Sequence, residues 1–179
     1  MKFKENTVLI TGSGRGIGRA IAIAFAAQGA RVCINYRSDQ KSAESTINAL
    51  EGSGHLLHQC DISNAAAAKE MIDTCVQAFG QLDILVNNAA IHEYHPIDKV
   101  DYTTWQEEWR RTLETNLVAA SNLTYCAAQH MIEHKSGRII FISSRGAFRG
   151  EPEQPAYGAS KGALNSFGQS MARALAPYH

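Results

Sequence analysis

Thr7-Val-Leu-Ile10 runs directly into Thr11-Gly12-Ser13-Gly14-Arg15-Gly16-Ile17-Gly18, and the reading of this stretch decides the fold. The first four residues are a β-branched, apolar run. After the glycines, Ala20, Ile21, Ile23, Ala24, Phe25 and Ala27 recur at helical spacing, which predicts strand, glycine loop, helix. Glycines let backbone approach a phosphate closely, and the first amides of the following helix have no internal partner and point toward it. The spacing is not GxGxxG, because Ile17 and Arg19 stand where that pattern needs glycine; it reads as Thr-Gly-x-x-x-Gly-x-Gly. A tight βα turn without any ligand would use the same glycines, so the rest of the chain must separate the two readings.

Working outward, Gly29 predicts a helix end and Ala-Arg-Val-Cys-Ile-Asn35 a second buried strand, followed by Tyr36-Arg37-Ser38. An acidic side chain about 20 residues after such glycines takes a ribose 2′-hydroxyl, whereas arginine accommodates a 2′-phosphate. Tyr36 fills the acidic position and Arg37 follows it. Together with Arg15 in the loop, two guanidinium groups are expected to converge on a phosphate, favouring NADP(H) over NAD(H). A polar helix over about residues 40–50 precedes a third strand, His55-Leu-Leu-His-Gln-Cys60, which delivers Asp61-Ile62. A helix over about residues 65–79 stops at Gly80, and Leu82-Asp-Ile-Leu-Val86 is a fourth strand arriving at Asn87-Asn88-Ala89-Ala90. Alternating strands and helices predict a parallel sheet with helices on both faces and right-handed crossovers. Ligands of such sheets bind at the carboxyl ends of the strands, where each unusual polar cluster falls.

Residues 96–135 read as largely helical, with Trp105, Trp109, Leu113, Leu117 and Ala120 three or four apart. Asn116 interrupts that stripe, and a buried asparagine needs partners, whether helix backbone or a water. Ser136-Gly137 is expected to stop the helix before Arg138-Ile-Ile-Phe-Ile142, a fifth strand ending at Ser143-Ser144. A loop over residues 145–155 leads to Tyr157-Gly-Ala-Ser-Lys161. On a helix, residues four apart share a face, so Tyr157 and Lys161 face one cleft. Lowering a tyrosine pKa from about 10 by roughly three units takes about 4 kcal/mol of preferential phenolate stabilisation, the order of what one nearby cation supplies.

The 179 residues fit one domain, and 17 Lys+Arg against 17 Asp+Glu leave a net charge of +0, with no basic run that would recruit nucleic acid or an anionic membrane. Cys33, Cys60, Cys75 and Cys126 form no CxxC pair and read as reduced, buried thiols. With no signal-peptide pattern and no run long enough to span a bilayer, a cytoplasmic protein is expected. His130-Met-Ile-Glu133-His134 fits H-x-x-E-H, a zinc-peptidase pattern. Its place at a helix end, where His and Lys suit the dipole, and the lack of a third ligand argue against zinc, so no metal site is expected. His92 and His95 read as loop residues.

The set Thr11-Gly-Ser-Gly-Arg-Gly-Ile-Gly18, Asp61-Ile62, Asn87-Asn-Ala-Ala90, Asn116, Ser144 and Tyr157-x-x-x-Lys161 resembles the short-chain dehydrogenase/reductase family in order and separation, across almost the whole chain. Arg15 and Arg37 resemble those of NADPH-preferring members similar to 3-oxoacyl-acyl-carrier-protein reductases. The resemblance implies a Rossmann-type doubly wound parallel α/β sheet and a carbonyl reductase, or the reverse, acting on a small-molecule carbonyl or alcohol. By resemblance Tyr157 is the general acid, Ser144 orients the carbonyl oxygen, Lys161 assists Tyr157 and holds ribose hydroxyls, and Asn116 anchors a water. Gly12, Ser13, Arg15, Gly16, Ile17, Gly18, Arg37 and Ser38 would hold the diphosphate and adenosine end, Asp61 and Ile62 the adenine, and Asn88, Ala89 and Ala90 the ribose. Ala90 departs from the family's usual glycine, which is tolerable where φ stays negative. The resemblance also implies a homo-oligomer through the long helices. It implies further strands and a substrate loop after the Tyr157 helix, so the single domain of residues 1–179 is expected to be truncated there. A non-catalytic dinucleotide-binding or assembly module is the competing expectation.

Overall fold

Five apolar runs form strands: Thr7–Ile10 (β1), Arg31–Tyr36 (β2), Leu56–Gln59 (β3), Ile84–Asn87 (β4) and Arg138–Phe141 (β5). In the computed structural model, which describes residues 2–178, they build one sheet of order β3-β2-β1-β4-β5 with every pair parallel. Parallel neighbours need crossovers, and the helices supply them: Gly16–Ala27 (α1), Gln40–Ile47 (α2), Ala65–Phe79 (α3), and Tyr102–Leu113 (α4) with Ala119–His134 (α5). Gly146–Arg149 (α6) and Pro155–Leu175 (α7) follow β5.

The two-residue period of the strands sorts their side chains between two cores. Leu9, Cys33 and Leu85 join Met71, Ile72, Phe79 and Leu123 of α3 and α5 on one face. Val8, Ile10, Val32, Ile34 and Val86 pack on Ala22, Ala26 and Ala43 of α1 and α2 on the other. Burial on both faces is what a continuously apolar strand signals. The chain runs outward from β1 in both directions, so the strand order reverses beside β1 and opens a crevice at the carboxyl ends. Among the described residues no helix is long and apolar enough to cross a membrane.

Several boundaries differ from the sequence reading, each for a local reason. The fourth strand starts at Ile84 rather than Leu82, because the Asp83 carboxylate accepts the Thr7 N–H (2.7 Å) and hydroxyl (2.9 Å) and clamps the start of β1. The second helix stops at Ile47, and the Leu50 N–H donates to the Ile47 carbonyl in a turn. Between α4 and α5 the residues Glu114–Val118 form a single π-helical turn, with Asn116 buried in it. That wider turn lets the Asn116 side chain reach across to Ile91, accepting its N–H (2.8 Å) and donating to its carbonyl (2.9 Å). Helix α5 ends on Lys135, in the left-handed region at φ 50°, and not on Ser136-Gly137. The expected loop over residues 145–155 contains the short helix α6.

Candidate active site

The crevice is a cleft of about 460 Å³ lined by the glycine loop, the carboxyl ends of β2 and β4, the segment after β5, and Tyr157 with Lys161. The glycines are required by contact as well as by conformation. Gly12 sits at φ 61°, and its amide donates to Asn35 Oδ1 (3.0 Å). A methyl group on Gly18 would lie 2.6 Å from both Asn88 Nδ2 and the Gly12 carbonyl oxygen. At Gly16 a methyl group would meet nothing within 4 Å, since its backbone faces the open cleft. The N-cap of α1, Arg15, makes no side-chain cap bond, so this helix start is left to an outside acceptor.

Two residues brace the loop. Asn88 Nδ2 donates to the Thr11 carbonyl (2.8 Å) and the Gly12 carbonyl (3.1 Å), while Thr11 Oγ1 accepts the Asn88 and Ala89 amides (3.0 Å each). From the other side Asn35 holds Gly12 and donates through Nδ2 to the Cys60 carbonyl (3.1 Å). Asn35 carries no signal in the sequence, because an asparagine closing an apolar strand looks like any strand end. Ser13 does not line the cleft: it is fully buried, donating to the Ile10 carbonyl (2.7 Å) and accepting the Asn35 N–H (3.1 Å).

Arg15, Gly16, Ile17, Arg37 and Ser38 line the cleft and are exposed, with Ile17 64% accessible. Asp39 and Ser42, not anticipated, join them there. Asp39 caps α2, and the Ser42 hydroxyl and amide hold its carboxyl below the ordinary value, with the Arg15 charge a smaller contributor. The signal for Asp39 is its residue type just before a polar helical stretch, since an acidic N-cap marks a helix start, whereas Ser42 is placed by the helix that follows. Asp61 and Ile62 line the same wall, Asp61 accepting the Ser63 hydroxyl (2.7 Å) and Ile62 buried. Ala89 and Ala90 also face the cleft, and Ala90 does not have positive φ, which accommodates its methyl group.

At the other end Lys161 is 2% exposed, and its Nζ donates to the Ile142 carbonyl (2.7 Å) while standing 5.9 Å from the centre of the Tyr157 ring. Burial alone pushes the ammonium down to about 8. The His92 ring packs edge-on against Tyr157 at 4.6 Å. Asn116 lies behind the cleft wall, its Nδ2 donating also to Ser160 Oγ (3.1 Å), which in turn donates to the Tyr157 carbonyl (2.7 Å). Ser143 lines the described cleft and Ser144 stands beside it, half-buried, its Oγ accepting the Gly146 N–H (3.1 Å). That bond uses an acceptor site and leaves the hydroxyl proton available. His130 and His134 lie elsewhere, the His134 Nδ1–H donating to the His130 carbonyl (2.8 Å) at the end of α5. Among the described residues no three His, Cys, Asp or Glu side chains are grouped to hold a metal.

Fold and cleft agree with the comparisons. The family model for short chain dehydrogenases matches residues 6–179, and the chain belongs to the short-chain dehydrogenase/reductase family. An uncharacterized oxidoreductase of Methylorubrum extorquens is 35% identical over 178 residues, covering 98% of this chain and 69% of that protein. The 3-oxoacyl-[acyl-carrier-protein] reductase of Staphylococcus aureus is 35% identical over 172 residues, 95% of this chain and 68% of its own length. Among solved structures, a short chain dehydrogenase from Burkholderia cenocepacia in complex with NADP superposes with a TM-score of 0.89 at 33% identity, covering 99% of this chain and 71% of that one. An NAD+-bound xylitol dehydrogenase gives a TM-score of 0.90 at 28% identity, over 100% of this chain and 68% of its own. The chain is therefore an oxidoreductase of nicotinamide-dinucleotide type.

Proposed function

We propose that the protein uses NADP(H) in preference to NAD(H) to reduce a carbonyl to a secondary alcohol, or to run the reverse reaction, with 3-oxoacyl thioesters as the substrate class. The observation that carries this reading is the buried Lys161 ammonium beside Tyr157, in one cleft with the glycine loop. The open backbone at Gly16 and the uncapped start of α1 fit a diphosphate, and Arg15 with Arg37 fit a 2′-phosphate. The 3-oxoacyl-[acyl-carrier-protein] reductase among the relatives supports the substrate class.

When bound, the nicotinamide supplies or accepts the hydride. The protein's residues handle the proton and the geometry. Tyr157 Oη gives its proton to the carbonyl oxygen as the alcohol forms, and Ser144, with its hydroxyl proton free, donates to the same oxygen. Lys161 stabilises the phenolate left behind; one of its three N–H bonds is fixed on Ile142, and the other two would be free to hold the ribose hydroxyls of a bound cofactor. The Asn116 amide is engaged with Ile91 and Ser160. In this reading it fixes the Ile91 loop and the Tyr157 turn rather than presenting its amide to a water. Self-association through α4, α5 and the π-turn between them, which expose Tyr102, Tyr125 and Val118, belongs to the same reading. Sedimentation would show a dimer or larger, and a monomer rejects that part.

The test is NADPH oxidation with an acetoacetyl thioester, paired with titrations of NADPH and NADH. Turnover is expected in the wild type, with a loss of about 10² or more in Tyr157→Phe at nearly unchanged cofactor affinity. NADPH is expected to bind more tightly than NADH, and the difference should shrink in Arg37→Ala. Cofactor binding without turnover on any carbonyl would turn the assignment into a dinucleotide-binding module, and equal affinities would remove the NADP(H) preference.

A further inference from the structure

The first turn of α7 carries Tyr157, and no local side chain caps it. Gln154, the N-cap, makes no side-chain cap bond, and Pro155 at the first helical position has no N–H to give. The Tyr157 and Gly158 amides both donate back to the Gln154 carbonyl (3.0 and 3.2 Å). That leaves the Ala156 amide, and its acceptor comes from 61 residues away: His95 Nε2, at 3.2 Å. His95 is fully buried, although it lies in a stretch that is neither helix nor strand.

A histidine nitrogen that accepts an N–H carries no proton, so the ring proton of His95 is on Nδ1, which donates to the Glu93 carbonyl (2.8 Å). Its backbone amide donates to the Glu153 carbonyl (2.9 Å), and the Trp105 ring packs edge-on at 5.9 Å. Residues 91–95 thus form a strap. One end is tied to Asn116 through both polar groups of Ile91, and the other is tied to the start of α7 through His95. Between the two ties, His92 leans on the Tyr157 ring.

We infer that His95 is a positioning residue for Tyr157: its Nε2 caps the Ala156 amide and so fixes the first turn of α7 relative to Lys161. Lys161 stands one turn further on, held independently by the Ile142 carbonyl. Fraying of the first turn therefore moves the phenol while leaving the ammonium in place. The consequence for turnover rests on the reductase reading above; the capping itself does not.

The experiment compares wild type, His95→Leu and His95→Gln by amide hydrogen exchange, cofactor titration and thioester reduction. Leucine removes the acceptor, and glutamine restores one at the end of a side chain of similar reach. In His95→Leu the Ala156 amide is expected to exchange about fivefold faster or more, as for loss of a cap. The kcat is expected to fall about tenfold or more with unchanged cofactor affinity, and His95→Gln to recover most of both. Unchanged Ala156 exchange overturns the inference whatever the turnover. Equal losses of kcat and cofactor affinity, or no recovery with glutamine, also overturn it, because His95 is then only part of the core. Absence of wild-type turnover rejects the reductase reading alone, and the exchange arm still decides the capping. Should His95→Leu fail to fold, imidazole nitrogen NMR of the wild type decides: Nδ1 protonated and Nε2 bare supports the inference, and the opposite tautomer or a doubly protonated ring overturns it.

Discussion

Lys161 is held at a cost. Burial lowers its ammonium from the ordinary 10.5 to about 8, so the folded protein at neutral pH carries a charge that the unfolded chain would solvate better, worth about 3 kcal/mol. Between about 8 and 10.5 the unfolded chain keeps a proton that the folded chain has released, so stability rises with pH across that window. Below about 8 both states are protonated and the whole cost stands. Lys161→Met removes the charge and forfeits one hydrogen bond to Ile142, worth about 1 kcal/mol. The variant is expected to be more stable than wild type by about 2 kcal/mol near neutral pH. That advantage should fade as the pH approaches 10.5, as urea unfolding across the range will show. A variant less stable at pH 7 would mean that the buried charge has favourable partners. A side chain that lowers stability and stays charged in a cleft belongs to function more than to folding.

At the scale of elements, the glycine loop and the π-turn show how a site is assembled from pieces that do not announce their partners. The loop is pinned between Asn35 of β2 and Asn88 after β4, and its glycines have separable roles. Gly18→Ala would drive a methyl group into Asn88 Nδ2 and the Gly12 backbone, whereas Gly16→Ala has open space and only its positive φ of 58° to overcome. Gly16→Ala is therefore expected to cost about 1–2 kcal/mol. Gly18→Ala should cost more and displace the loop, measured as a larger drop in melting temperature and a loss of cofactor binding. Similar effects from the two would contradict the close packing seen at Gly18. In the π-turn, Asn116 links α4, the Ile91 strap and, through Ser160, the Tyr157 carbonyl. A helix register widened by one residue at a buried asparagine places that side chain where an ordinary turn would not.

Across the whole molecule the sheet is the rigid frame and stability is graded from its centre. β1 and β4 are fully buried on both faces, while β3 is half-buried and β5 alternates exposed and half-buried positions at the edge. Amide exchange is expected to be slowest in β1 and β4, intermediate in β2 and fastest in β3 and β5. Exchange in β5 as slow as in β1 would mean that its edge is covered. The cleft lies where the protected strands end, so the glycine loop stands on the stiffest part of the protein. Tyr157 is supported from a different direction, by α7 and the strap. Cofactor end and chemical end can then be perturbed separately, as the Gly18 and His95 variants are designed to do.

The strand–glycine loop–helix order, the parallel sheet, and the grouping of Arg15, Arg37, Asp61, Tyr157 and Lys161 were legible in the sequence. They depend on local periodicity and on the rule that ligands meet parallel sheets at their carboxyl ends. Helix and strand ends were less legible, because Asp83 and Lys135 act through bonds and torsions that composition does not register. Only the tertiary structure could decide what His95, Asn35 and Ser13 do. Each has a deciding partner 22 or more residues away, Ala156 for His95, Gly12 for Asn35 and Asn35 for Ser13, and a hydrogen bond between distant segments leaves no periodic trace in either one. The sequence by itself determined which chemistry the cleft contains; the packing of the residue 91–95 strap against α7 decided how the tyrosine is held in it.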